Sequence, residues 1–489
     1  MINMRKISMQ RLVVLPLALG LLFTSCKRYS SDFGDTNVNP GVTGSPILSA
    51  LLTNVEAGLS GYGSNTRAAL YCQYFSETQY TDVSLYSLPQ INFEGEYSGS
   101  LYDLQNIINT NTSNNMTQVA RILKAYIYAH ITDRWGDVPY SQALTGNSTP
   151  AFDKQADIYP ALIQELTQAS AAFNTSSAIT GDILYKGSTA KWRKFATSLR
   201  MRLALQLTKK FPAASGYAAQ QFNAALTDPA GYITDNADNF EVAFPGGNFR
   251  SSWYSLYDGR KDFGESNTMT ALMANVGDGR QNAFGGLTED QNVSNSDWNL
   301  PSSLGVPYGR LRSFVDPWTQ VNPGWARVLR GDYRTQSGKV MLLSAAEVFL
   351  ARAEAADRGW TSENMTSLYQ AGINASFAQW GLAAPAASYF TQSSVVLSSP
   401  AGTAANIQKL AIQQYIAGYP DGMRGWNIWR RTGFPVLTPA IDATNSSKQI
   451  PRRYTYGQTA YGSNTAAVTA AAGLLPGGDT QDSKIWWDQ

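Results

Sequence analysis

Seven residues, Val119, Ile122, Leu123, Tyr126, Ile127, His130 and Ile131, fall at i, i+3, i+4, i+7, i+8, i+11 and i+12 and so form one continuous apolar stripe along a helix. The stripe ends at Trp135-Gly136-Asp137-Val138-Pro139-Tyr140. There Gly136 permits a left-handed turn, Pro139 blocks continuation, and Asp137 can accept backbone donors. His130 is the only histidine among 489 residues, and its place on the stripe makes it a packed core residue rather than a catalytic base. Asp133 and Arg134 are adjacent and so do not share a helix face; each can reach across to a neighbouring hairpin.

Further helices are expected at 156–173, 189–210, 215–226, 344–358, 361–380 and 405–418, several of them in pairs joined by short turns. The 344–380 pair is the most legible: Ser344 suits an N-cap, Arg358 sits in the last turn, Gly359 suits the residue after the helix, and Thr361 can cap the next. Alanines at 345, 346, 351, 353, 355 and 356 would let a neighbouring helix approach closely. Tetratricopeptide-like repeats pack in this way, although no clean 34-residue period is present. Residues 228–338 are rich in Gly, Asn, Ser and aromatics with weak periodicity, and a loop-rich region of that length points to function.

With 43% apolar and 15% charged residues the chain can bury a large core and is not a disordered protein. Its 38 basic and 36 acidic residues are nearly balanced, and no basic cluster suits a phosphate backbone, which argues against nucleic acid. The 26 tyrosines and 12 tryptophans, with many amides and hydroxyls, suit polar uncharged ligands.

Residues 1–25 read as a lipoprotein signal peptide, in which Arg5, Lys6 and Arg11 precede an apolar run from Leu12 to Phe23 that leads through Thr24 and Ser25 to Cys26. That run, about a dozen residues, is shorter than the roughly 20 of a spanning helix. Cys26 is the expected lipidation site, and residues 26–47 read as a polar tether before a single domain over 48–489. With Cys26 acylated, Cys72 has no partner, so no intrachain disulfide is expected.

Motifs for chemistry are scarce. One histidine excludes a histidine-rich metal site, and no metal or cofactor is expected. A G-x-S-x-G elbow, a P-loop and a dinucleotide fingerprint are all missing from the sequence. A glycosidase needs only two carboxylates, so a surface glycoside hydrolase stays open on these grounds.

The stretch RILKAYIYAHITDRWGDVPYSQAL resembles the signature of the SusD/RagB family of outer-membrane nutrient-binding lipoproteins, in which a helix runs into a D-x-x-G-D-V-P turn. LLSAAEVFLARAEAADRGW at 342–360, WNIWRRTGFPVL at 426–437 and IPRRYTYG at 450–457 agree in order, with Gly457 where the family pattern has proline. The resemblance implies a mainly α fold: about four tetratricopeptide-like hairpins as a scaffold, an irregular loop-rich portion that builds the ligand site, and minor β. It further implies a non-catalytic, lipid-anchored outer-membrane protein that faces the exterior. Such a protein captures oligomeric nutrient, most often glycan and in a minority branch peptide, for a SusC-like TonB-dependent transporter.

Two segments fall where the family's site-building loops would lie. NFRSSWYSLYDGRKDFGES, 248–266, offers Asn248, Trp253, Tyr254, Tyr257, Arg260 and Asp262, and YFSETQYTDVSLY, 74–86, offers Tyr74, Glu77, Gln79, Tyr80 and Tyr86. Rings can stack on the apolar faces of sugars while the polar groups hold hydroxyls. Trp426, Trp429, Arg430 and Arg431 fit the family's packed C-terminal motif, the arginines pairing with carboxylates such as Glu347 or Glu354, which share a helix face.

Overall fold

The apolar stripe lies in the 22-residue helix Asn114–Trp135, where Val119, Ile122, Leu123, Tyr126, Ile127 and Ile131 are all fully buried. The computed structural model describes residues 47–87, 90–292 and 294–489. The signal segment, Cys26 and the tether up to residue 46 lie outside the described residues.

Ten longer helices carry the scaffold: α1 Leu48–Gly58, α2 Ser100–Thr110, α3 Asn114–Trp135, α4 Gln155–Ala171, α5 Thr189–Gln206, α6 Tyr217–Leu226, α7 Ala345–Asp357, α8 Met365–Gln379, α9 Ala404–Gly418 and α10 Gly422–Thr432. Eight of them pack as consecutive pairs, α3 with α4, α5 with α6, α7 with α8 and α9 with α10. The pairs are joined laterally through α4 against α5 and α7 against α9. This is the mainly helical, tetratricopeptide-like arrangement expected. The helix α10 and the two helices α1 and α2 are absent from the expected set; α10 carries two glycines, two tryptophans and three arginines in eleven residues.

Local chemistry sets the helix ends. Ser113 accepts from the Met116 amide at 3.4 Å to start α3, and Gly136, with φ +90°, ends it. Ser344 caps α7 as expected, but the cap of α8 is Asn364, whose side chain accepts from the Ser367 amide at 2.9 Å, rather than Thr361. Small residues bring α7 and α8 together: a Cβ on Gly372 would lie 2.7 Å from Cγ of Leu350. At Gly457 a Cβ would lie 1.9 Å from Asn92 Oδ1, so this close approach is incompatible with the proline of the family pattern.

The irregular portion is held by two-stranded sheets: β1 Phe75–Glu77, β2 Phe240–Val242, β3 Phe263–Glu265 and β4 Val340–Leu343. β1 pairs antiparallel with β3, and β2 with β4, which leads directly into α7. Between β3 and β4 lie short helices, turns and one two-residue strand pair, Gly285–Gly286 with Arg327–Val328, the longest helix there being Arg312–Val321.

Several charges are buried in this scaffold, and each has a defined answer. Arg431 is bidentate on Glu354, at 2.5 and 2.7 Å, and also donates to Gln414. Burial alone would raise the Glu354 pKa, but Arg431 and Arg358 outweigh it and hold the carboxyl well below the usual range. Glu347 instead takes Arg202, at 2.6 Å through both Nε and Nη2, and Arg424. Arg430 has neither glutamate: its guanidinium lies 3.6 Å from the ring centre of Trp426 and 4.7 Å from that of Trp487, and it donates to the Arg452 carbonyl.

Asp133, at the end of α3, accepts from Tyr159 of α4 at 2.5 Å, from Asn427 of α10 at 2.6 Å and from the Trp487 indole at 2.9 Å. Its neighbour Arg134 pairs with Glu96 at 3.0 Å, and Asp137 accepts from the Gln155 amide at 2.8 Å, joining the exit turn to α4. His130 packs between Tyr62 and Tyr126, with ring centres 5.0 and 4.5 Å away. Burial, with Arg134 and Arg202 nearby, pushes its pKa well below the usual value, so the ring is neutral.

Two stability predictions follow from these buried groups. Asp133→Ala strips three donors of their acceptor, so chemical denaturation should show a loss of about 3–5 kcal/mol. An unchanged midpoint would mean that the three donors find other partners. Glu56 of α1 is fully buried and accepts from the Ile183 amide at 2.6 Å. Burial and the adjacent Asp182 carboxylate push it from 4.5 up to about 9. A folded-state pKa raised in this way gives stability that is complete below pH 4.5 and is lost as pH rises toward about 9. Glu56→Gln keeps the acceptor and cannot ionise. Its melting temperature should therefore hold across that window while that of the parent falls, and parallel falls would assign the loss to another group.

Candidate functional site

Two segments distant in sequence meet because β1 and β3 pair, Phe75 opposite Glu265 and Glu77 opposite Phe263. Thr78 extends the ladder by donating its amide to the Asp262 carbonyl at 2.8 Å. Beyond that point the chains diverge. Gln79 and Tyr80 on one side and Tyr257 to Asp262 on the other wall an open cleft of about 680 Å³, with Glu289 also lining it.

Of the residues expected from sequence, the cleft brings together Gln79, Tyr80, Tyr257, Arg260 and Asp262. It adds Asp258, Gly259, Lys261 and Glu289. The first three lie inside the expected loop, between residues already singled out for their rings and charges. Glu289 lies outside both segments, and nothing in the sequence around it marked it.

The other expected residues lie elsewhere. Tyr74, Glu77 and Tyr86 are buried: Tyr74 packs on Tyr415 at 4.4 Å, and the Tyr86 hydroxyl accepts from the Ala440 amide at 3.0 Å. Glu77 accepts from the Ser84 amide and hydroxyl, both at 2.8 Å, and so pins the turn that follows Tyr80. Burial pushes Glu77 up to about 7, against those two hydrogen bonds, which favour the charged form. Trp253 is buried on Phe75 and lines a separate hollow of about 340 Å³ with Tyr333 and Trp380. Tyr254 is half-buried beneath the Arg250 guanidinium, 5.3 Å from its ring centre. Asn248 is exposed in the small turn bridged between Gly246 and Phe249.

Inside the cleft the charges are matched. Arg260 donates to Asp262 at 2.6 Å, Asp258 takes Arg250 at 2.8 Å, and Glu289 takes Arg327 with Lys261 4.0 Å away. The floor is rigid: the Tyr257 hydroxyl donates to the Phe263 carbonyl at 2.8 Å and accepts from the Val328 amide at 2.7 Å. Buried Arg334 lies 4.6 Å from the Tyr257 ring centre and donates to the Leu329 carbonyl, and burial lowers its pKa to about 10.

One ring stands free at this site. Tyr80 is 59% exposed, with the Arg312 guanidinium 5.9 Å from its ring centre. A flat exposed ring beside an amide, two cations and three carboxylates can hold a polar oligomer by stacking one face and bonding its hydroxyls. Among the described residues, no group of three or more His, Cys, Asp or Glu side chains could hold a metal ion.

A family model described as "Starch-binding associating with outer membrane" matches residues 40–457. A comparison with curated proteins finds no match. The chain is similar to a chitin-binding SusD homolog from Flavobacterium johnsoniae, with 22% identity, a TM-score of 0.78, and coverage of 90% of this chain and 98% of that chain. A chitin-binding protein shares 24% identity at a TM-score of 0.74, covering 90% and 100% of the two chains. A SusD homolog from Bacteroides uniformis shares 23% at 0.75, covering 90% and 99%. At these identities the likeness establishes a common fold. Because the family model spans most of the sequence, from residue 40 to residue 457, the chain belongs to the SusD-like family.

Proposed function

We propose that this protein is a non-catalytic glycan-binding lipoprotein. It is held to the outer membrane through Cys26 with its ligand site facing outward, and it hands oligosaccharide to a SusC-like TonB-dependent transporter. The observation that carries the reading is the cleft between the β1 and β3 loops, where an exposed ring, Tyr80, stands beside Gln79, Arg260 and Lys261. The family's description as starch-binding and the chitin-binding relatives support glycan as the ligand class.

Each cleft carboxylate is paired with a cation and so held in place at the cleft wall. Such carboxylates suit the acceptance of ligand hydroxyls. Among the described residues no helix is long and apolar enough to cross a membrane, and the proposed attachment is through the acyl chains on Cys26.

Calorimetry with a panel of malto-oligosaccharides, chito-oligosaccharides and oligopeptides tests the reading. Saturable heat from one sugar series with no shortening of the sugar is the expected result. Binding of peptides alone would replace the ligand class, and shorter sugars released by clean protein would replace the mechanism. Within the cleft, Tyr80→Ala should weaken that sugar about 3- to 10-fold, the value of one stacked ring, with an unchanged melting temperature. Trp253→Ala should instead cost about 3–5 kcal/mol of stability, since it empties a buried site.

A further inference from the structure

A second cavity, sharing no residue with that cleft, lies among the short helix Glu94–Ser98, the loop after Pro139 and the helix Gln458–Ser463. Its volume is about 210 Å³, and its walls are largely apolar, formed by Phe93, Tyr97, Leu144, Pro150 and Phe152. The three rings are fixed against one another, Phe93 lying 5.7 Å from Tyr97 and 6.0 Å from Phe152 between ring centres. The Tyr97 hydroxyl is committed to the Pro139 carbonyl at 2.6 Å, so the ring cannot turn to offer its polar end.

One charged group lines this apolar hollow. Both carboxylate oxygens of Glu94 are shielded from solvent and have no hydrogen-bond partner among the described residues. No lysine or arginine lines the cavity. The amides at its edge each direct a hydrogen bond elsewhere, Asn147 to Gln142 at 3.1 Å and Asn464 to the Pro150 carbonyl at 2.7 Å. The Ser463 hydroxyl donates to the Thr459 carbonyl at 2.8 Å.

A shielded carboxylate with no donor is costly to keep, and the group that answers it best is a cation that brings its own hydrogens. The rings favour the same guest, because aromatic faces attract ammonium groups. We propose that this cavity binds a small organic ammonium, a primary amine on an apolar body of about the size of phenethylamine, with Glu94 as its counter-ion. A neutral sugar can donate hydroxyls but brings no opposite charge and no apolar body for the rings, and anions would be repelled.

The test uses the full chain near neutral pH with phenethylamine, its neutral counterpart 2-phenylethanol, and phenylacetate, each followed by calorimetry and ligand-detected NMR. Phenethylamine should bind one to one, at least tenfold tighter than the alcohol, and phenylacetate should not bind. Glu94→Gln should erase the preference for the amine while the melting temperature and oligosaccharide binding stay as in the parent. Ser463→Trp, at an exposed position on the cavity edge, should block all three probes. Equal binding of amine and alcohol, an unchanged preference in Glu94→Gln, or no binding of the amine would each overturn the proposal.

Discussion

The carboxylate of Asp133 is the point on which the scaffold closes. It sits at the end of the longest helix and collects donors from α4, from α10 and from the C-terminal Trp487. Arg430, which lies between Trp426 and Trp487, brings the positive charge that such a buried anion needs nearby. The first and last hairpins of the chain are thereby fixed to one another by hydrogen bonds whose geometry tolerates little error. The turn after Asp133 extends the same junction: the Tyr454 amide donates to the Arg134 carbonyl at 2.8 Å, and Arg453 donates to the Trp135 carbonyl at 3.1 Å.

This explains why the four family-like motifs, scattered from residue 121 to residue 457, are neighbours in space. The α3 exit, α10 and the 450–457 segment share the Asp133 junction, and α7 joins α10 through Glu354 and Arg431. The candidate cleft uses none of these residues. It is built on β1 and β3, away from the junction, so its loops can vary without disturbing the ion pairs that hold the helices.

Helices with a regular apolar period were legible from sequence, as α3 shows, since burial along one face is a local property. The partners of Asp133 were not, because Asn427 and Trp487 stand 294 and 354 residues away. The pairing expected for the arginines was half right: Arg431 meets Glu354, while Arg430 is met by indole faces, a partner that charge alone does not suggest. Among the aromatic loops, Tyr74, Tyr80 and Tyr86 look alike in sequence. Their fates differ because β1 pairing carries Tyr74 inward, and the turn pinned by Glu77 and Ser84 returns the chain to the core at Tyr86, leaving Tyr80 outside. Such sorting depends on a strand contributed from residues 263–265, which no local pattern reveals.

The ladder between β1 and β3, with Thr78 bonded to Asp262 and Tyr257 fixed from both sides, joins the two cleft walls at their base. The ladder fixes the spacing of the walls at their base, so on the proposed reading the cleft meets its guest already formed there. Association then needs no slow closing step, and discrimination among related guests falls on how long each one stays. On the proposed reading, in which captured oligosaccharide is handed on, a preformed cleft with one exposed ring favours quick release.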